Sequence, residues 1–324
     1  MRTLVIGGSR FVGLHLVFHL LRLGHEVAVL NRGVTPANEL PSNIERIYAD
    51  RRNFDQMKAA LAGRRFDAVF DIVLEQTADG DVLAEALPHM GHYIMCSGTR
   101  IYAASDLLPV REESPIAPNP GVDSIGYARL KSADLLTETG KRHGYPVTVL
   151  RPHRIYGPHT YNLAWEPSFF ARVEGGLPIV IPGNGETLHQ WMHVDDFAKA
   201  FIACLGNTKS HGQVYIVGGS EYVTLNGYVG LIGETAGRKA DVLHLDAAKA
   251  KSITPFFPYN WDYSRIFSIE KIERELGWRP AIMLSEGLAD SYRWYKSAGL
   301  GQSSWDFGYE GRVAAAIREN RWPP

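Results

Sequence analysis

Residues Thr3-Leu4-Val5-Ile6-Gly7-Gly8-Ser9-Arg10-Phe11-Val12-Gly13 pass from an apolar, strand-length run into a glycine-rich turn and on into an apolar helical stretch. Few features restrict a fold more. Backbone N–H groups at a helix N-terminus favour anions, and glycines in the preceding turn let a pyrophosphate approach closely, so a strand, turn and helix of this kind form a phosphate cradle. Far downstream, Tyr127 and Lys131 lie four residues apart in a helical stretch and therefore share a face. A phenol held beside an ammonium can give and take a proton. Together the two features imply a dinucleotide-using enzyme that acts at a carbon bearing a hydroxyl.

The first half of the chain alternates short β-branched runs with helical patterns, the signature of βαβ units and a parallel sheet. Six strands are expected at Leu4 to Ile6, Val27 to Leu30, Ile44 to Tyr48, Ala68 to Val73, Tyr93 to Cys96 and Val147 to Leu150. Between the first two, Phe11 to Leu23 carries Leu14, Val17, Phe18 and Leu21 on one face and stops at Gly24, a good C-cap residue. Prolines between Leu107 and Gly121 predict a loop, and Asp123-Ser124 can cap the helix that follows. After Pro158 the rhythm breaks, with Pro167, Pro178, Pro182, Gly183 and Gly185 punctuating short elements, and Gln213 to Val217, Leu225 to Ala236 and Ile269 to Leu276 following without βαβ alternation. The expected architecture is α/β, a doubly wound parallel Rossmann sheet with a smaller C-terminal substrate-binding lobe. The dinucleotide-binding domain spans 1–158, with 190–219 returning to it. The lobe comprises 159–189 and 220–324 and caps the C-terminal edge of the sheet, where ligands of open α/β sheets bind.

Composition excludes several alternatives. A chain of 324 residues can bury a large core, and with 34 basic against 35 acidic residues it has no global field to attract nucleic acid or an anionic membrane. Neither is expected as a partner. Cys96 and Cys204 form no CxxC motif or disulfide framework, no apolar run reaches membrane-spanning length, and no cleavable leader is visible, so a cytoplasmic location is expected. No metal centre is expected, because the histidines lack paired i,i+4 spacing with an acidic partner.

Several motifs recur in a fixed order: Gly7-Gly8-x-x-Phe11-Val12-Gly13, Tyr127-x3-Lys131, Arg151-Pro152-x3-Tyr156-Gly157-Pro158, Gly183-x-Gly185, His193-Val194-Asp195-Asp196 and Leu276-Gly277-Trp278-x-Pro280. With them the chain resembles, nearly end to end, the short-chain dehydrogenase/reductase superfamily, and in particular its extended branch of sugar-nucleotide epimerases and dehydratases. The resemblance implies that Tyr127 exchanges a proton with a substrate hydroxyl while hydride moves to or from the nicotinamide, and that Lys131 holds the ribose and stabilises the phenolate. Tyrosine in water, with a pKa of about 10, is a poor base at neutral pH, so the neighbouring cation is required. It also implies a homodimer.

The chain departs from the family at three places. The serine or threonine that completes the set falls on Gly98, within Ser97-Gly98-Thr99-Arg100-Ile101-Tyr102, so Ser97 or Thr99 is expected to supply the hydroxyl, with Thr99 preferred. The middle glycine of the cofactor motif is Arg10, and Asn31-Arg32-Gly33 stands where an acidic residue would hold the adenosine ribose. Two arginines and no carboxylate favour NADP over NAD. The expected cofactor contacts are therefore Gly7, Gly8, Ser9, Arg10, Phe11, Val12, Gly13, Asn31, Arg32, Asp50, Arg51, Val73, Ser97, Tyr127, Lys131, Pro152 and His153. For substrate, Thr99, Arg100, Arg154, His189 and Trp191 are expected, with the aromatic run Phe256 to Trp261 able to stack on a base or to plug the interior. The Gly-Gly-x-Arg-Phe turn, Asn-Arg-Gly, and Phe66-Asp67-Ala68-Val69-Phe70-Asp71 look most like an atypical subgroup that includes chloroplast stem-loop RNA-binding proteins. Three function classes follow: a redox-neutral epimerase or dehydratase on a sugar or sugar nucleotide, which the sequence favours; an NADPH-dependent reductase of a small carbonyl compound; and a nonredox RNA-binding protein on the same fold.

Overall fold

Leu4, Val5 and Ile6 are apolar on both sides of the pleat, the pattern of a strand covered on both faces, and all three are buried in the computed structural model. The structure describes residues 1–34, 39–73, 79–86, 90–117, 124–252 and 263–321. The expected aromatic run Phe256 to Trp261, the end of the proline-rich loop and Asp123 lie outside the described residues. The order from the N-terminus is β1 (Arg2–Ile6), α1 (Phe11–Arg22), β2 (Glu26–Asn31), β3 (Glu45–Tyr48), α2 (Phe54–Leu61), β4 (Ala68–Asp71), α3 (Asp79–Ala86), β5 (Tyr93–Cys96), α4 (Ser124–His143) and β6 (Val147–Pro152).

These six strands join a seventh, Val214–Val217, in one parallel sheet ordered seventh strand, β6, β5, β4, β1, β2, β3. The order reverses between β1 and β4, so the C-terminal ends of these two strands flank the switch point where ligands of such sheets bind. Their register, Ile6 beside Asp71, puts Asp71 next to the glycine turn.

The chain divides into two compact units. The first comprises Met1–Ile155, Val194–Gly218 and Phe267–Ala281, and the second Tyr156–His193, Gly219–Ile266 and Ile282–Pro324. Residues 267–281, expected in the smaller lobe, fold instead with the sheet, and specific bonds account for it. The Lys271 ammonium donates to Gln213 Oε1 (3.0 Å) and to the Val214 carbonyl (2.9 Å) at the start of the seventh strand. Trp278 Nε1 donates to the Asp196 carbonyl (3.2 Å), and Asp196 Oδ2 accepts from the Ala281 amide (2.9 Å). Two motifs far apart in sequence, Asp195-Asp196 and Leu-Gly-Trp-x-Pro, are thus one structural joint.

Asp195 serves a second joint. Its Oδ1 accepts from His15 Nδ1 (2.9 Å) and His19 Nε2 (2.8 Å), so helix 194–204 is tied to α1. Burial pushes the Asp195 carboxyl up, but the two histidine bonds outweigh it and hold the group well below the usual carboxylate range. Contrary to expectation, His15 and His19 are an i,i+4 pair with an acidic partner, which lies 176 residues beyond the second of them, invisible to local spacing. Both histidines bond the one carboxylate oxygen, and among the described residues no group of three or more His, Cys, Asp or Glu is placed to hold a metal ion.

The second unit builds its own core from Phe169, Phe170, Trp191, Tyr228 and Tyr295. Strands Ile179–Pro182 and Val242–Leu245 pair in parallel, and Leu188–Gln190 pairs antiparallel with Tyr222–Thr224. Among the described residues, no helix is long and apolar enough to cross a membrane.

Candidate functional site

The glycines between β1 and α1 are dictated by space and backbone geometry. Gly7 has φ +91°, and a Cβ there would lie 2.6 Å from Val73 Cγ1. A Cβ on Gly13 would lie 2.1 Å from the Gly7 carbonyl oxygen, so only glycine lets the first turn of α1 pack this closely on the strand end. Phe11 is left-handed at φ +45° although it is not glycine, a costly conformation that persists only when its surroundings over-determine it. Its ring is buried, and this packing supplies that constraint. Arg10 sits at the N-cap with an exposed side chain that makes no cap bond, so its bulk does not obstruct the turn.

Around this cradle the expected cofactor residues behave differently from one another. Asn31 Oδ1 accepts from the Gly33 amide (2.9 Å), forming a side-chain turn that leads Gly33 to φ +71° and leaves Arg32 exposed at its tip. Asp50 Oδ1 accepts from the Arg52 amide (3.0 Å), which sets up Asn53 to cap α2 through the Gln56 amide. Arg51 is engaged by Asp71: Nη1 reaches Oδ1 at 2.8 Å and Nη2 reaches Oδ2 at 2.7 Å. Tyr93 also donates its hydroxyl to Asp71 Oδ2 (2.5 Å), and the Val73 amide donates to Oδ1 (3.1 Å). Sequence reasoning missed Asp71 and Tyr93 as a unit. The signal lay in the Phe66 to Asp71 run, which ends a buried strand in an acidic residue.

At the end of β5, Ser97 is fully buried and its Oγ has no hydrogen-bond partner among the described residues. Thr99, the preferred stand-in for the missing hydroxyl, is already committed: Oγ1 lies 3.0 Å from His153 Nδ1 and 3.3 Å from the Pro152 carbonyl, so it accepts from the imidazole and donates to the backbone. His153 and Pro152 are thereby drawn to the β5 edge. On α4, the Lys131 ammonium lies 5.5 Å from the centre of the Tyr127 ring, and both side chains are exposed. Arg129, between them in sequence, turns toward the sheet and donates from Nη1 to the Ser97 carbonyl (3.3 Å). Sequence reasoning also overlooked this cation.

The remaining expected substrate residues are divided between the two units. Arg100 is exposed, whereas Arg154 is nearly buried and left-handed at φ +26°. His189 and Trp191 belong to the second unit. His189 Nε2 lies 3.0 Å from Thr187 Oγ1, and Trp191 stacks flat on Tyr228 with ring centres 4.2 Å apart. Trp191 is part of the buried core of the second unit.

A profile of the NAD dependent epimerase/dehydratase family matches residues 3–218. The chain is 34% identical over 309 residues to the chloroplast stem-loop binding protein of 41 kDa b from Arabidopsis thaliana, covering 90% of this chain and 78% of that protein. It is 25% identical to a dTDP-glucose 4,6-dehydratase from an Actinoplanes species, covering 92% and 98%. Among solved structures it resembles UDP-glucose 4-epimerase from Thermotoga maritima, with TM-score 0.79, 21% identity and coverage of 93% and 100%. It also resembles the NAD complex of UDP-glucose 4-epimerase from Thermus thermophilus, with TM-score 0.75, 24% identity and coverage of 92% and 100%.

Proposed function

Because the chain belongs to the NAD-dependent epimerase/dehydratase family, we propose that it carries out redox-neutral epimerase or dehydratase chemistry at a hydroxyl-bearing carbon of a sugar or sugar nucleotide. The observation that carries this reading is the presence, in one unit, of a glycine cradle that any Cβ would fill and a Tyr127–Lys131 pair on α4. The glycine turn suits a dinucleotide pyrophosphate at the switch point of the sheet. When bound, the dinucleotide supplies a nicotinamide carbon that can take and return a hydride. The chain's own part is to orient the two reactants and to move the proton. Tyr127 accepts it from the substrate hydroxyl as the carbon is oxidised, with the Lys131 ammonium beside its ring. The dTDP-glucose 4,6-dehydratases among the relatives, which match along more than 90% of the chain, support a nucleotide-sugar substrate.

Arg32, exposed at the tip of the turn after β2 where an NAD-binding carboxylate would stand, supports NADP over NAD. Titrating both dinucleotides against the protein tests that preference. The chemistry is tested by incubating the cofactor-loaded protein with dTDP-glucose, UDP-glucose and UDP-glucuronate. Tyr127→Phe keeps the ring and deletes the proton carrier, so turnover should fall by roughly 100-fold or more with dinucleotide affinity little changed. Full turnover in that variant would remove Tyr127 from the mechanism.

A further inference from the structure

Asp71 is a carboxylate with 0% exposure at the end of β4, and both of its oxygens are occupied. Oδ1 accepts from Arg51 Nη1 and from the Val73 amide, and Oδ2 accepts from Arg51 Nη2 and from the Tyr93 hydroxyl. These donors come from three segments: the turn after β3, the segment leaving β4, and β5 itself. A buried ion pair of this kind brings little net stability, since desolvating both charges offsets most of their attraction. What it provides is geometry. The planar guanidinium is gripped at both ends and cannot rotate, and the backbone of Val73 is fixed two residues from the carboxylate that holds it.

Both held groups border the glycine turn. Asp71 is the register partner of Ile6, the residue before Gly7, and Val73 Cγ1 stands 2.6 Å from where a Gly7 Cβ would be. The Arg51 side chain keeps 12% exposure while Asp71 keeps none, so Arg51 is the member of the pair that reaches the surface. Guanidinium planes stack on aromatic rings, and a plane already fixed by a carboxylate loses little freedom when a base lands on it. Arg51 neutralised by Asp71 is a poor partner for an additional phosphate, whereas its flat surface still suits an uncharged base.

Building on the dinucleotide reading above, we propose that Asp71 is a positioning residue for the adenine half of the cofactor. It holds Arg51 as a platform for the base and pins Val73 against the phosphate turn. Asp71→Asn keeps the shape but replaces one acceptor oxygen with a donor, so two of the four bonds to residue 71 lose their acceptor. Arg51→Lys keeps the charge and removes the planar fork.

The test measures binding of ADP, of nicotinamide mononucleotide and of the whole dinucleotide by calorimetry, alongside thermal unfolding. In both variants ADP and dinucleotide affinity should fall by at least about tenfold, while nicotinamide mononucleotide affinity stays within about twofold. A purely structural pair would instead weaken both half-ligands together, in proportion to the loss of melting temperature. Should Asp71→Asn fail to fold, Arg51→Lys, which leaves the buried carboxylate with a cationic partner, gives the same comparison. Unchanged ADP affinity in Arg51→Lys overturns the proposal and leaves the epimerase/dehydratase reading standing. A wild-type protein that binds none of ADP, NAD and NADP overturns both.

Discussion

Gly98 occupies the place where the family resemblance puts a catalytic hydroxyl, yet nothing in its backbone demands glycine. Its φ is −178°, extended backbone that any residue adopts, and a Cβ would meet only Arg129 Nη1 at an ordinary 3.7 Å. Neither flanking hydroxyl is a simple replacement: Thr99 is bonded to His153 and the Pro152 carbonyl, and Ser97 is sealed from solvent. Gly98→Ser should therefore fold with a stability change within about 0.5 kcal/mol. If the site lacks a hydroxyl, the new hydrogen bond, at about 1 kcal/mol, should raise kcat about fivefold. Steady-state kinetics and thermal melts check both numbers, and a fall in kcat with unchanged stability would mean that the Arg129 guanidinium already provides the donor there. The absence of the serine was legible in the sequence. The approach of Arg129 was not, because it depends on the face of α4 that turns toward β5.

At the scale of elements, the contact between β1 and α1 makes the most exact demand. In Gly13→Ala the new methyl would sit 2.1 Å from the Gly7 carbonyl oxygen, a backbone atom that cannot swing away, so α1 must tilt off the strand. The expected loss is about 3 kcal/mol of stability together with most dinucleotide affinity. Gly230→Ala is the control: Gly230 lies inside the helix Leu225–Thr235, its Cβ would meet nothing within 4 Å, and replacing glycine in a helix interior stabilises by about 0.5–1 kcal/mol. Equal melting temperatures for the two variants would show that the close approach of α1 is not obligatory. Glycine spacing made this element readable from sequence, and the strands were readable as short runs rich in β-branched and apolar residues, with β3, Glu45-Arg46-Ile47-Tyr48, the least apolar of them. The Arg51–Asp71 pair was not, since it joins two strand ends 20 residues apart and needs the register of β1, β3 and β4 to be known. The strand Val214–Val217 was visible as a run, but its place beside β6 rests on tertiary bonds such as those from Lys271 to Gln213 and Val214.

For the whole molecule, two buried titratable groups give stability opposite slopes with pH. His92, in the first unit, has 4% exposure, with Nε2 2.8 Å from Thr148 Oγ1 and its ring edge-on to His211. Burial, helped by the charge of His211, pushes it down from 6.5 to about 4. Between those values the unfolded chain binds the proton and the folded one does not, so this contribution is intact above pH 6.5 and is lost as pH falls to 4, about 3 kcal/mol in all. Glu166, in the second unit, is fully buried; its Oε1 accepts from the Gly157 amide at 3.0 Å, and its Oε2 has no partner among the described residues. Burial dominates and pushes it up from 4.5 to about 7, against the pull of the Gly157 bond. Here the folded state holds the proton, so the contribution is full below pH 4.5 and is lost as pH rises through 7, again about 3 kcal/mol. Between pH 4.5 and 6.5 the two slopes oppose each other. Glu166→Gln removes one of them: its stability relative to wild type should rise with pH from 4.5 to 7 and then level off. Denaturant melts at half-unit pH steps measure that difference. A difference that does not vary with pH would mean that Glu166 ionises as it would in water, and His92→Gln, whose difference from wild type should vary only between pH 4 and 6.5, fixes the other slope independently.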